Sequence, residues 1–374
     1  MLIDQQTIKE SGLLLQIDQV GVANAEPLES MLEILERRIR EERLTPFEEK
    51  NPSLRITPDN LLDGCRTIIT LAIPYDRPAL SAQSDDEGQQ GLVSRCARSQ
   101  DYHRVVEEKA VQLVKKIEET VNKSLRHKIL TDRSPLLERE LARRSGLGLI
   151  GENCTLINPL YGSYVALGTI LLDIAIEPDL PNEKTCLQCG GCREACPTGA
   201  LIAPYIIDPH RCLSYLSQAS GVFPADLRVS LGSRLYGCDS CQEACPLNQE
   251  VAASPLTEFS TVLFAAEPYL LTLLKMTRKE FDTKIRLTAA GWRGKTTLQR
   301  NAVIALGNSK DRDAVKDLAR ILENDARPLI RLHAAWALGQ LGGRKAALAL
   351  GKSAERDPEE TVRREVLAAL GKKN

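Results

Sequence analysis

The sequence predicts a mixed α/β first part, a cysteine-organised middle and a stacked helical end. Three observations predict it. Strand-like and amphipathic runs alternate up to about residue 180; eight cysteines crowd into 186–245, where hydrophobic periodicity nearly vanishes; and Leu-Gly pairs recur at 306–307, 338–339 and 370–371, 32 residues apart. A length of 374 residues suits two or three folded units. Hydrophobic residues at 43% and charged residues at 26% describe an ordinary soluble globular chain and exclude disordered and collagenous classes. The expected divisions are 1–180, 181–255 and 256–374.

The elements follow from local pattern. Pro27 to Arg43 places Leu28, Met31, Leu32, Ile34 and Leu35 at helical spacing behind a proline suited to a first turn. Arg66 to Ile73 is a β-branched run closed by Pro74, hence a buried strand. Tyr102 to Ser124 reads as an amphipathic helix, Arg126 to Thr131 as a short strand, Pro135 to Ser145 as a third helix, and Leu156 to Ile176 as strands broken by glycines. Ala79 to Gln90 reads as a polar loop. In the last part Ala305, Ala337 and Ala369 keep step with the Leu-Gly pairs, the signature of HEAT-like helical hairpins sharing one core. Such a module serves equally as scaffold or as binding surface.

The longest apolar stretch, Val165 to Ile176, contains Asp173 and falls short of the roughly 20 residues a membrane helix needs. The N-terminus carries no secretory or twin-arginine signal, so the expected compartment is cytoplasmic, with no membrane partner. Eleven cysteines where thiols stay reduced point to metal or redox chemistry.

Cys186-x2-Cys189-x2-Cys192-x3-Cys196-Pro197 has the spacing that ligates a bacterial ferredoxin-type cluster. A second set, Cys238-x2-Cys241-x3-Cys245-Pro246, is completed by Cys212 upstream. A [4Fe–4S] core takes one thiolate per iron, and in two-cluster ferredoxins the cysteine before proline serves the other cluster. That rule assigns Cys186, Cys189, Cys192 and Cys245 to one cluster, and Cys196, Cys212, Cys238 and Cys241 to the other. Structural zinc is the alternative, since paired CxxC motifs also make zinc ribbons.

Gly146-Leu-Gly148-Leu-Ile-Gly151 matches the dinucleotide fingerprint literally, but a helix-like segment precedes it and ENCTLINP follows. The fingerprint needs a strand before and a helix after. These glycines form either a tight turn or a close approach to a flat ligand. Asp132, between a strand and a helix, is either an N-cap or, if burial raises its pKa, a proton donor. Cys65, Cys96, Cys154, His103 and His210 carry no signal alone. From Arg278 onward there are 21 Lys and Arg against 12 Asp and Glu, although the whole chain has net charge −1, a hint of a polyanion partner.

Together, Thr131 to Gly168, the SRCARSQDYH segment from Ser94 to His103, the double cysteine array and the HEAT-like tail resemble the cobalamin-dependent epoxyqueuosine reductases of tRNA modification, in the branch with C-terminal repeats. The resemblance implies an α/β (α+β) nitroreductase-like domain that binds cobalamin without a histidine below cobalt. It implies reductive removal of the epoxide oxygen from epoxyqueuosine at the wobble position of a tRNA anticodon stem-loop, giving queuosine, with electrons relayed by two [4Fe–4S] clusters from an external donor such as a flavodoxin or ferredoxin. It makes Asp132 the proton donor and a cofactor contact. Arg55, Gly151, Asn153, Ser163 and Gly168 fall in regions that line the corrinoid. Many members have tyrosine where this chain has Cys96, a departure from the family's pattern at the upper face of cobalt that leaves the role of Cys96 open as a cofactor contact. The basic run then offers Arg278, Lys279, Arg293, Lys295 and Arg300 to stem-loop phosphates, with Trp292 either stacking on a base or packing on a helix. Alternatives are a reductive dehalogenase-like enzyme or an electron-transfer protein.

Overall fold

The computed structural model describes residues 3–77, 88–132 and 134–371. Most of the expected polar loop, 79–87, lies outside the described residues. The chain divides into two compact units that interleave along the sequence: Met1–Pro78 with Gln100–His210 and Ser240–Thr261, and Ala79–Ser99 with Arg211–Asp239 and Val262–Asn374. Among the described residues no helix is long and apolar enough to cross a membrane.

The first unit is built on a four-stranded antiparallel sheet in the order Val20–Asn24, Thr67–Pro74, Val165–Leu172, His127–Leu130. Register is set by pairs such as Val22 with Ile69, Thr70 with Thr169 and Ile129 with Ile170. Thr67–Pro74 is buried along its whole length, because both faces of the sheet are covered. Ile69, Leu71 and Ile73 join Val22 and Ile170 against Val105, Val106, Leu113 and Ile117 of the Tyr102–Val121 helix. The alternate residues Ile68 and Leu171 pack with Leu35 of the Leu32–Arg40 helix and Leu141 of the Glu138–Arg144 helix. Each such side chain contributes roughly 1.5–3 kcal/mol on burial. The strand run was therefore unbroken rather than alternating.

The expected elements appear with trimmed ends. The helix over 27–43 is a single 3-10 turn, Glu29–Met31, followed by Leu32–Arg40. The helix expected from Pro135 begins only at Glu138. The sequence reading had no element at Gln5–Leu14, a helix capped by Asp4, or at the edge strand Val20–Asn24. Both are short, and the strand's VGVAN lacks alternation because Val20, Gly21, Val22 and Ala23 are all buried.

The second unit holds the repeats: helices Lys295–Asn308, Val315–Asn324, Pro328–Leu341, Arg344–Arg356 and Glu360–Gly371. The 32-residue recurrence has a steric cause. A Cβ on Gly307 would lie 2.8 Å from Ala337 Cα, and one on Gly339 would lie 2.7 Å from Ala369 Cβ. Each repeat glycine thus admits the alanine of the next repeat, so the helices approach backbone to backbone. Gly371, in the final helix, meets nothing within 4 Å.

Candidate active site and cysteine pocket

Asp132 follows the His127–Leu130 strand in a left-handed conformation, φ 50°. Its Oδ2 accepts hydrogen bonds from the Tyr102 hydroxyl at 2.8 Å and from His103 Nε2 at 3.0 Å. His103 Nδ1 meets Asp101 Oδ1 at 2.6 Å. These donors stand in the first turn of the Tyr102–Val121 helix, whose N-cap is Asp101. Glu138, opening the next helix, accepts the Asp132 backbone N–H through Oε1 at 3.3 Å.

This geometry removes the capping reading of Asp132 and the condition of a raised pKa attached to the other. It caps no helix: Glu138–Arg144 starts after Leu137 without a side-chain cap, and Ser134 Oγ takes only the Leu136 N–H. Nor is its pKa raised. The His103 hydrogen bond, with Tyr102 adding to it, holds the Asp132 carboxyl below the usual range despite desolvation. Burial pulls the His103 imidazole down, but Asp101 and Asp132 outweigh it and set its pKa at about 9. Burial, reinforced by the Asp132 charge, pushes Glu138 up to about 8. Near neutral pH the cluster therefore holds an imidazolium, an ionised Asp132 and a neutral Glu138. His103, Tyr102 and Glu138 escaped the sequence reading; the only trace was Asp101-Tyr102-His103 at a helix start.

In the same unit Cys186, Cys189, Cys192 and Cys245 line one cavity with Gly151 and Asn153. Burial pushes the Cys192 and Cys245 thiols up, so taking up metal must release their protons. Among the described residues no three His, Cys, Asp or Glu side chains converge on a point suited to a single metal ion. Four thiols ranged around a cavity fit a cubane, which takes one ligand per iron, better than a tetrahedral zinc site. Cys196 Sγ accepts the Ala200 N–H at 3.2 Å, the kind of contact that tunes a cluster sulfur. Cys196 and Cys241 belong to the first unit, Cys212 and Cys238 to the second.

Residues 55–133 match the family described as epoxyqueuosine reductase QueG, DUF1730; residues 185–248 match the 4Fe-4S double cluster binding domain; residues 294–371 match HEAT repeats. The chain is 35% identical to the epoxyqueuosine reductase of Bacillus subtilis (strain 168), covering 94% of this chain and 91% of that protein. The chain belongs to the epoxyqueuosine reductase family. It is 32% identical to the Escherichia coli (strain K12) member over 90% of its own length and 89% of that protein. An epoxyqueuosine reductase solved with a tRNA-Tyr epoxyqueuosine-modified tRNA stem loop superposes with TM-score 0.92 at 34% identity, covering 98% of this chain and 97% of that one. The Streptococcus thermophilus enzyme superposes with TM-score 0.90 at 31% identity over 98% of both chains.

The epoxyqueuosine reductase residues expected at the corrinoid separate into two groups. Arg55 pairs with Glu48 at 3.2 Å while its Nε is buried without a partner, and Asn153 Nδ2 and Thr131 Oγ1 are likewise buried and unpartnered. Such groups cost roughly 1–3 kcal/mol unless something satisfies them, so these positions fit a bound polar molecule. Ser163 and Gly168 are engaged by the protein's own groups. The Ser163 hydroxyl donates to Gln242 and accepts from Asn248, and its N–H binds Asn248 Oδ1, each at 2.8 Å, so its polar groups brace that segment. Gly168 is a packing glycine, because a Cβ there would lie 2.5 Å from Val106 Cγ1. Gly151 belongs to a hairpin of Leu149–Ile150 with Leu156–Ile157, preceded by a helix, which removes the dinucleotide reading. Cys96 lies in the second unit on the turn Arg95–Ala97, its Sγ 3.5 Å from Ser94 Oγ.

The five cations expected at phosphate also divide. Arg278 and Lys279 are exposed, Arg278 pairing with Asp282 at 2.7 Å. Arg293 is half-buried, donates to Gln218 O at 2.8 Å and lies over the Trp292 ring, 4.7 Å from its centroid; Lys295 donates to Met276 O at 3.0 Å. Trp292 is 47% exposed and donates to Gln218 Oε1 at 3.1 Å. Arg300 is a correction: it is 1% exposed, its guanidinium held by backbone carbonyls, and cannot reach a phosphate.

Proposed function

We propose that this chain reduces epoxyqueuosine to queuosine at the wobble position of tRNA, completing queuosine formation. The observation that carries the reading is the Asp132 carboxylate, 58% exposed and held between the Tyr102 hydroxyl and the His103 imidazolium. Removing an epoxide oxygen breaks both C–O bonds and takes two electrons and two protons, the oxygen leaving as water and the carbons becoming an alkene; bound cobalamin would supply the reducing centre, with two [4Fe–4S] clusters relaying electrons from an external low-potential donor.

The chain's own residues supply the rest. Tyr102 and His103 both bind Oδ2, and among the described residues nothing bonds Oδ1, leaving that oxygen to face substrate. An alkoxide leaves poorly, so the departing oxygen must take a proton as the bond opens. Asp132 ionises too readily to keep one alone, but the His103–Asp132 pair carries a transferable proton between them, and Asp101 stabilises the imidazolium that stores it. Neutral Glu138 holds the Asp132 backbone without placing a second negative charge beside it.

Arg55 and Asn153 would hold cobalamin polar groups. Cys186, Cys189, Cys192 and Cys245 would ligate one cluster, and Cys196, Cys212, Cys238 and Cys241 the other. Arg278 and Lys279 would contact stem-loop phosphates, assisted by Arg293 and Lys295. The divisions 1–180, 181–255 and 256–374 would then be cofactor, cluster and tRNA parts, working in the cytoplasm. The test is mass spectrometry of the wobble nucleoside after anaerobic incubation of an epoxyqueuosine stem-loop with cobalamin, reductant and protein. Loss of the mass of one oxygen atom is expected; an unchanged nucleoside overturns the reading.

A further inference from the structure

Arg300 and Asn301, consecutive in the Lys295–Asn308 helix, are 1% and 0% exposed. Among the described residues no carboxylate pairs with Arg300, unlike the buried Arg331, which pairs with Asp357 at 2.8 Å. Burying a cation this way is costly unless every donor is satisfied. Arg300 Nη1 donates to Ala219 O at 2.6 Å and Gly221 O at 2.9 Å, and Nη2 to Leu216 O at 3.0 Å. Its Nε and Nη2 also reach Asn301 Oδ1 at 3.0 and 2.8 Å, which orients the amide. Asn301 Nδ2 in turn donates to Ser217 O and Leu235 O, both at 2.8 Å.

The carbonyls that receive these bonds are not scattered. Leu216, Ser217 and Ala219 are at the C-terminal end of the short Leu213–Gln218 helix, where carbonyls lack intrahelical partners and attract a cation. Leu235 is the middle of the Arg234–Tyr236 strand. Cys212 is the N-cap residue of that helix, and Cys238 follows the strand after Gly237. The Gly237 N–H also binds Ser217 Oγ at 2.9 Å, tying the two stretches directly. One repeat helix therefore grips both ends of the 26-residue span that separates these cysteines.

We infer that Arg300 and Asn301 are positioning residues for the second iron–sulfur cluster, holding Cys212 and Cys238 in the mutual register that ligation requires. The inference rests on the reading of those two cysteines as ligands. It gives the first repeat helix a role in cofactor assembly, separate from any tRNA contact, and accounts for an arginine whose donors go to backbone carbonyls and the Asn301 amide rather than, among the described residues, to a carboxylate.

The test uses the full chain, reconstituted anaerobically, as Arg300→Lys, Asn301→Ala and the control Arg331→Lys. Wild type should carry about eight iron and eight sulfide on the ligand count; four would refute the ligand reading itself. Arg300→Lys and Asn301→Ala should lose up to half of both, with the remaining reduced cluster giving the unaltered signature of the first. Where the second cluster is retained, its potential and electron paramagnetic resonance signal should shift while the first stays in place. Arg331→Lys should lower thermal stability yet keep both clusters unchanged. Wild-type cluster content, potentials and spectra in the two clamp variants would overturn the inference. A check without variants is hydrogen exchange on wild type before and after iron chelation. Coupling requires amides of 213–218 and 297–301 to open together; opening of the first stretch alone overturns it, even if the variants do not fold.

Discussion

His103 stands between two carboxylates, its Nδ1 2.6 Å from Asp101 and its Nε2 3.0 Å from Asp132. Both ring nitrogens face acceptors, so both donate, and the ring is an imidazolium by geometry as well as by its raised pKa. The first prediction follows. Asp132→Asn keeps size and a hydrogen bond to His103 but cannot relay a proton; it should retain clusters and cobalamin and lose about 10²–10⁴-fold in single-turnover rate. Near-wild-type turnover would remove Asp132 from the chemistry.

The same cluster sets a pH dependence. His103 with pKa about 9 holds its proton at neutral pH, and Glu138 with pKa about 8 stays neutral there. As pH rises through 8 to 9, Glu138 ionises beside Asp132 and His103 then discharges, so the deoxygenation rate should fall across that interval. His103→Gln should be slow throughout and lack the limb near 9. A pH–rate profile of pre-reduced enzyme decides it, and an identical limb in the variant would assign the loss elsewhere.

Cys245 shares a cavity with Cys186, Cys189 and Cys192 although it is distant in sequence. Cys245→Ser and Cys186→Ser should each reduce iron and sulfide to about half and leave the same residual spectrum, since each removes a ligand of one cubane. Different residual spectra would break the assignment; stoichiometric zinc without sulfide would replace it.

Lys279 is exposed on the second unit, whereas Arg300 is buried. Lys279→Glu should weaken stem-loop binding and reduce the slope of log affinity against log salt by about 1 or more. Arg300→Lys should leave that slope alone. Gel-shift titrations at several salt concentrations test both, and an unchanged slope in Lys279→Glu would move the interface.

His333 is fully buried, donating through Nδ1 to Leu329 O at 2.7 Å and accepting the Phe223 N–H on Nε2 at 3.2 Å. Burial, aided by Arg228 and Arg300, pulls its pKa down to about 3, against an unfolded value near 6.5. Between those values the unfolded chain binds a proton that the folded chain refuses, so stability should fall as pH drops below about 6.5 and be unaffected by this group above it. His333→Gln keeps an acceptor without the proton site, and should lose less melting temperature between pH 7 and 5 than wild type.

How much of this was legible varies with the range of the interaction responsible. The strand at Thr67–Pro74 could be read because burial on both faces favours a run of mostly apolar, β-branched side chains. The family could be read because runs such as Cys186, Cys189 and Cys192 bring several thiolates of a cubane within a turn or two of chain, beside the contiguous Thr131 to Gly168 segment. The 32-residue repeat could be read because Gly307 and Gly339 are each matched to an alanine of the next repeat, Ala337 and Ala369. These requirements are local or periodic, so they leave marks along the chain.

Side-chain environments leave no such marks. Asp132 was found in sequence, but its low pKa comes from His103, 29 residues away, and Glu138's raised one from burial that only the packed helices create. Arg300 sat in a basic run and looked like its neighbours; folding buried it beneath the carbonyls of a segment some 80 residues earlier. Ser163 and Gly168 fell in the right segment yet face Gln242, Asn248 and Val106. Sequence by itself determined the element types, the cysteine spacing and the family, because those depend on periodicity and residue chemistry. Which carboxyl is ionised, which arginine is exposed and which glycine merely packs were decided by tertiary structure alone, because desolvation and hydrogen bonding depend on neighbours the chain supplies only once folded.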